Sequence, residues 1–140
     1  YTYMTVQIVP IDFIAEVWPR VDKFISLALS HSKGDYNAEH AKVYLTNGSW
    51  TLVIAIDETT GNISGALIVE FINRPNNRIA FIVAIGGKGV ATPEKWAQFI
   101  ALMKQKGATK IEGAARASVA RLWASKLNFT EKYKVMEISI

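Results

Sequence analysis

The second half of the chain places a cluster of glycines between an all-apolar run and a capped helix, and that order limits the fold more than any other feature. Ile79–Ile85 reads Ile-Ala-Phe-Ile-Val-Ala-Ile, which predicts a central strand covered on both faces. Gly86-Gly87-Lys88-Gly89 follows. Thr92-Pro93-Glu94 then opens a helix, with Thr92 as cap, Pro93 at the first position and Glu94 complementing the dipole. A strand that hands a glycine-rich turn to a helix N-terminus forms an anion site, because unpaired N–H groups and the helix dipole both point outward. The same glycines also suit a tight strand-to-helix turn that needs only their backbone freedom.

The rest of the chain supplies strands and helices around this unit. Thr5–Val9 reads as a first strand stopped by Pro10. Ile11, Ile14, Ala15 and Trp18 fall at helical spacing, and Phe24, Leu27 and Ala28 continue a similar face. Pro19 inside that stretch predicts a kink or two short helices. Ser32–Tyr36 reads as a loop, and Asn37 caps a helix to about Thr46, ended by Asn47-Gly48. Trp50–Asp57 and Ile63–Phe71 are strands joined by a turn, and Arg74-Pro75-Asn76-Asn77 turns the chain into the central strand. Trp96, Phe99, Ile100 and Met103 form one stripe of the helix that Gly107 stops. A short strand lies around Lys110–Gly113. Val119, Leu122, Trp123 and Leu127 stripe the last helix, and Lys132–Ile140 reads as a final strand. Meander strands followed by strand–helix units predict an α/β (α+β) domain spanning residues 1–140, with a mixed, splayed central sheet and helices on both faces.

Charge is unevenly placed. Residues 1–85 carry six Lys/Arg and eight Asp/Glu, whereas residues 86–140 carry ten and four, so the glycine loop sits in the basic half, as an anionic ligand would favour. No dense basic tract interleaved with aromatics is present, which argues against a nucleic-acid partner. The chain has no cysteine, which removes disulfides, thiolate metal sites and a cysteine nucleophile. His31 and His40 stand alone, without a second ligand at metal spacing, so no metal site is read and a surface or capping role is expected. No apolar run reaches transmembrane length and no signal-peptide layout is seen, so a cytoplasmic protein without a membrane partner is expected.

The element order, with a glycine loop after the fourth strand, resembles the GCN5-related N-acetyltransferase superfamily. The closing segment Ala120-Arg121-Leu122-Trp123-Ala124-Ser125-Lys126-Leu127-Asn128-Phe129 is similar to that superfamily's Ala-x-x-Leu-Tyr-x-Lys-Leu-Gly-Phe ending. A narrower resemblance, carried by Val17-Trp18-Pro19, by Glu70 with Pro75 and by Gly86-Gly87, is to small tailed-bacteriophage proteins of this fold. The superfamily resemblance implies acetyl-CoA as cofactor and a small-molecule or peptide amine as acceptor. The phage resemblance implies the alternative of a non-catalytic virion or interaction protein with phage structural partners, in the host cytoplasm or the virion. The chain departs from the family pattern at three places. Gly86 stands where the cofactor loop has Arg or Gln, although Gly89 and Ala91 are kept. Ala117 and Ala124 stand where the last helix usually has an Asn and a Tyr that serves as general acid.

Carried onto this chain, the resemblance implies that Val83, Ala84, Ile85, Gly86, Gly87, Lys88, Gly89, Val90 and Ala91, with Arg116 at the start of the last helix, contact the cofactor. Glu70 is the first candidate for general base, since an amine must lose a proton and a partly buried carboxylate can take it. Its alternative is a solvent-facing side chain or a pair with Arg74 or Arg78. Glu112 is a second candidate. Tyr133 is a replacement for the missing acid, against the alternative of a packed or strand-edge aromatic. Trp18, Trp50, Trp96 and Trp123 are expected in the core. An exposed final strand also allows a homo-oligomer.

Overall fold

Among the described residues five strands form one sheet in chain order, and the helices cover both faces. The computed structural model describes residues 5–30, 35–87, 92–114 and 117–140, apart from the side chains of 117 and 118. Strands β1 (Val6–Val9), β2 (Thr51–Ile56), β3 (Ile63–Asn73) and β4 (Arg78–Gly87) run antiparallel in the order β1-β2-β3-β4. Helix α3 (Pro93–Gln105) crosses over, so β5 (Lys110–Gly113) lies parallel to β4. A parallel neighbour needs such a crossover, whereas the antiparallel strands close with turns. Helices α1 (Ile14–Leu29) and α2 (Ala38–Thr46) cover one face of the sheet. On the other lie α3 and α4 (Ala117–Leu127), whose Leu127, with Phe129 just beyond it, packs against that face.

Each face has its own apolar core. Ile14, Trp18, Val21, Ile25 and Leu29 of α1 and Ala41 and Leu45 of α2 pack on Leu52, Ile54, Ala66 and Ile68. Trp96, Phe99 and Met103 of α3 pack on Val53, Leu67, Val69, Ala80 and Ile82. Strand side chains alternate between the two layers, as the period of two requires. All four tryptophans are buried. Gln98 ties the start of β1 to α3: its Oε1 accepts from the N–H groups of Thr5 and Val6, both at 3.0 Å. At α2 the Asn37 side chain accepts from His40 N–H at 3.0 Å while His40 Nδ1 accepts from Asn37 N–H at 3.2 Å. His40 is therefore the second half of a capping box.

The structure corrects several expectations. Ile11 belongs to a separate 3-10 turn, Ile11–Phe13, and is exposed. The helix that follows is a single element of 16 residues running through Pro19, held by its buried stripe rather than split there. Leu27 falls off that stripe and is exposed, because Ile25 and Leu29 take the inward positions. Leu122 is exposed in the same way, the inward position of α4 being filled by Trp123. The largest correction is Lys132–Ile140, which forms no strand: residues 130–140 are exposed and pair with no ladder. Part of the expected loop between α1 and α2, with His31, lies outside the described residues.

Candidate active site

Strand β4 outlasts β5. Gly113, the last residue of β5, stands opposite Ile82, while β4 continues through Val83, Ala84, Ile85 and Gly86 to Gly87. On its other side β4 stays paired with β3 to the end, from Ile68 opposite Ala84 to Gly65 opposite Gly87. The register of that pair shifts between Ile68 and Val69, leaving Val83 as an extra residue on β4. Such a bulge bends the strand and ends regular pairing locally. It sits where β5 parts from β4, so Val83–Gly87 present a backbone edge that β5 does not cover.

The two glycines that close β4 have packing reasons. A Cβ on Gly86 would lie 2.5 Å from the Phe24 carbonyl oxygen, so α1 approaches the strand too closely for any side chain there. Gly87 has φ of 89° and would set a Cβ against Ser64 of β3. Gly87 therefore fits the tight-turn reading and Gly86 the close approach of α1, whatever the following loop binds. Lys88, Gly89, Val90, Ala91 and Arg116 lie outside the described residues. Beyond the loop, Thr92 caps α3 by accepting from Lys95 N–H, as read from the sequence.

Helix α4 closes the notch between the diverging strands. A Cβ on Gly113 would meet the Trp123 ring at 2.8 Å, so the indole lies flush on the strand end and near Ile82. Phe129 stacks beside Trp123 at 5.0 Å and beside Trp96 of α3 at 5.7 Å, which joins the two helices. Asn128 makes the turn with φ of 61°, a conformation asparagine tolerates better than most residues, and so fills the glycine position of the family-like ending.

The register also aligns Glu70, Phe81 and Glu112 on one row across β3, β4 and β5. Glu70 shares its side of β3 with Ile68, the side that α1 covers. It is half-buried and makes no hydrogen bond or ion pair among the described residues. Neither arginine expected beside it is free for that purpose. Arg74 reaches Glu112 at 3.2 Å, and Arg78 donates to the Lys106 carbonyl at 2.9 Å and to Asn73 at 3.0 Å. Glu112 is held by Lys132 at 2.7 Å as well as by Arg74. The Lys132 hydrogen bond, helped by the charge of Arg74, keeps its carboxyl below the usual range against the opposing effect of burial. A carboxylate so held is a poor proton acceptor. Tyr133 is exposed, with Lys132 Nζ 5.2 Å from its ring and no hydrogen bond on its hydroxyl among the described residues. The three candidates thus divide, and only Glu70 presents an unengaged carboxylate.

Sequence reasoning missed Lys95. Its side chain is buried, with Nζ donating to the Ile56 carbonyl at 2.8 Å and pairing with Glu58 at 3.2 Å. The link ties the first turn of α3 to the end of β2. Glu58 is held below the usual carboxylate range, first by its own backbone N–H and then by Lys95. The available signal was a cation in the first turn of a helix, where the dipole disfavours it.

The Glu112 pair gives a pH expectation. A carboxyl whose folded pKa is lowered stabilises the fold above its unfolded value and loses that contribution as pH falls through the folded one. Thermal unfolding should therefore show a decline below about pH 4.5, the ordinary glutamate value, that is shallower in Glu112→Gln. Identical acid limbs for the two proteins would remove the pair from this role.

No protein-family model matches the sequence, and no curated protein matches it. Solved structures match closely in shape. An aminoglycoside acetyltransferase from an uncultured soil metagenomic sample superposes with a TM-score of 0.68 at 14% identity, covering 99% of each chain. Ribosomal-protein-alanine N-acetyltransferase from Brucella melitensis biovar Abortus 2308 gives 0.66 at 14% identity, covering 96% of this chain and 97% of its own. A second soil-metagenome aminoglycoside acetyltransferase, in complex with sisomicin, gives 0.66 at 12% identity over 96% of this chain and 93% of its own. The chain therefore has the fold of the N-acetyltransferases, a mixed five-stranded sheet with helices on both faces. These likenesses are of fold, and the narrower likeness to phage proteins is not among them.

Proposed function

We propose that the protein binds an acyl-CoA and transfers the acyl group, acetyl in the simplest case, to a primary amine. The observation that carries this reading is the uncovered edge of β4 at Val83–Gly87, which α3 follows in the chain from Pro93. An extended chain bearing amides, as the pantetheine arm is, binds such an edge as an added strand would. Val83, Ala84 and Ile85 would hold the arm, and the loop with Gly89 and Ala91 would meet the diphosphate at the helix start. The bound cofactor supplies an activated acyl thioester. Glu70 then takes the proton that the attacking amine must lose, directly or through water. Ala124 stands at the usual tyrosine position, so protonation of the departing thiolate falls to Tyr133 or to solvent.

Titration with acetyl-CoA tests the reading. Ligand at about a hundred times its dissociation constant should stabilise the fold by roughly 2.7 kcal/mol, read as a raised Tm and as heat in calorimetry. Amine acceptors to screen next are an aminoglycoside such as sisomicin and a peptide with an N-terminal alanine, which represent a small-molecule and a protein substrate. No binding at millimolar acetyl-CoA would overturn the cofactor assignment and transfer the weight to the non-catalytic interaction-protein reading.

A further inference from the structure

The α1 core takes Ile68 of β3 and packs against Val83 and Ala84 of β4. The next positions on that side of the sheet are Glu70 and Phe81, which stand opposite each other and are half-buried. Phe81 packs into neither apolar core. Glu112 continues the row on β5. Its neighbour Ile111 packs in the α3 layer, so the alternation of the strand sets Glu112 on the Glu70 side. The row is a floor with an aromatic ring between two carboxylates, spanning two strand spacings, about 10 Å. Its two ends differ. Glu70 makes no hydrogen bond or ion pair among the described residues. At the other end both Glu112 oxygens are taken: Arg74 Nη1 lies 3.3 Å from Oε1 and 3.2 Å from Oε2, and Lys132 Nζ lies 2.7 Å from Oε2. Two cations on one carboxylate leave a positive charge over. The Glu112 side chain is only 16% exposed, against 37% for Arg74 and 49% for Lys132, so that end meets a ligand with its cations. Arg74 spends one terminal nitrogen on Glu112, and its Nη2 and Nε have no partner among the described residues. A guanidinium with such donors to spare matches a second carboxylate.

Resting on the acyl-transfer reading above, we propose that the acceptor is an amine that also carries a carboxylate. Its amine lies at Glu70, its carboxylate at Arg74 and Lys132, and the chain between them crosses Phe81. The span decides the length. An α-amino acid, with both groups on one carbon, is too short. An ω-amino acid or a peptide of about three residues fits, since each extended residue adds at most ~3.6 Å. An aminoglycoside, with amines and no acid, would bring like charge to Arg74 and Lys132 and is the poor acceptor. In the transfer the amine nitrogen bonds to the acyl carbon and the carbon–sulfur bond breaks. The amine proton passes to Glu70, and the sulfur leaves as the thiolate.

Matched acceptors isolate the carboxylate: triglycine against triglycinamide, and aminocaproate against aminocaproamide. With acetyl-CoA, kcat/KM should be at least about tenfold higher for the acid of each pair, with the difference in KM. In the double variant Arg74→Gln, Lys132→Gln that ratio should fall to unity or below. In Glu112→Gln it should rise, because both cations are then unopposed. Damage to the fold cannot move one ratio in opposite directions. A preference shown by triglycine alone assigns the acceptor to peptides, and one shown by both pairs assigns it to any amine and carboxylate at this span. Binding is read separately, without cofactor, from the amide chemical shifts of β4 and β5 on titration with triglycine. A protein that shifts there yet transfers no acetyl group sinks the transfer reading and keeps the carboxylate site. Equal kcat/KM for acid and amide overturns the proposal, as does a ratio indifferent to the variants. So does a protein that neither acetylates these amines nor shifts with triglycine.

Discussion

Replacement of Glu70 by glutamine is expected to lower kcat by roughly a hundredfold or more while leaving acetyl-CoA affinity unchanged. The substitution keeps the shape of the side chain and removes its capacity to accept a proton. Glu70 holds no ion pair or hydrogen bond among the described residues, so nothing structural is lost with the charge. Arg74 and Arg78, the cations that would have occupied it, are committed to Glu112 and to Asn73 with the Lys106 carbonyl. Steady-state rates with an accepted amine, set beside calorimetry with acetyl-CoA, separate the two effects. A variant with the parent's kcat would exclude Glu70 as base. Aspartate at the same position should recover part of the rate, because it restores the carboxylate at a shorter reach.

Gly86→Val should destabilise the fold by about 3 kcal/mol, the upper end for overpacking, and should do so with no ligand present. The atom in the way is the Phe24 carbonyl oxygen, 2.5 Å from the position of a Cβ, and it belongs to the backbone of α1. No rotamer change relieves such a clash, so α1 must lift from a core that includes Val21 and Ile25, both with no exposed surface. Chemical denaturation of the cofactor-free protein reads this directly. If stability were unchanged and only acetyl-CoA binding fell, Gly86 would belong to the ligand cradle rather than to the packing of α1.

Local pattern carried most of the architecture. The apolar run of β4 marked the centre of the sheet, and the Thr92-Pro93 start and the Trp96, Phe99, Met103 stripe marked α3 and its buried face. Pattern failed where burial depends on a partner. Lys132–Ile140 alternates as a strand does, yet a strand needs a neighbour to accept its hydrogen bonds, and alternation says nothing about one. Leu27 and Leu122 show the same limit on helices, since spacing allows two adjacent stripes and only packing chooses. At the site, Glu70 was legible as a carboxylate near the central strand, but the commitment of Arg74 to Glu112 spans 38 positions and is visible only in three dimensions. The bulge was hidden for another reason. In a run apolar on both faces, one extra residue leaves no mark on the hydrophobic pattern.

That extra residue sets the phase of everything after it. Ala80 and Ile82 face α3, whereas Val83 and Ala84 both face the α1 layer, and from there the alternation runs inverted, with Ile85 toward α3 and Gly86 beneath Phe24. Flatten the bulge with Val83 kept in the ladder and the parity reverses: Gly86 would turn to the α3 side and Ile85 would be driven into the carbonyl of α1. The half-turn that frees the strand edge is thus also what lets the first helix lie down on the sheet. A one-residue insertion between Ala84 and Ile85 should be far more damaging than any substitution there, because it would turn Ile85 and Gly86 to the wrong faces, whereas deletion of Val83 would leave both on their present sides.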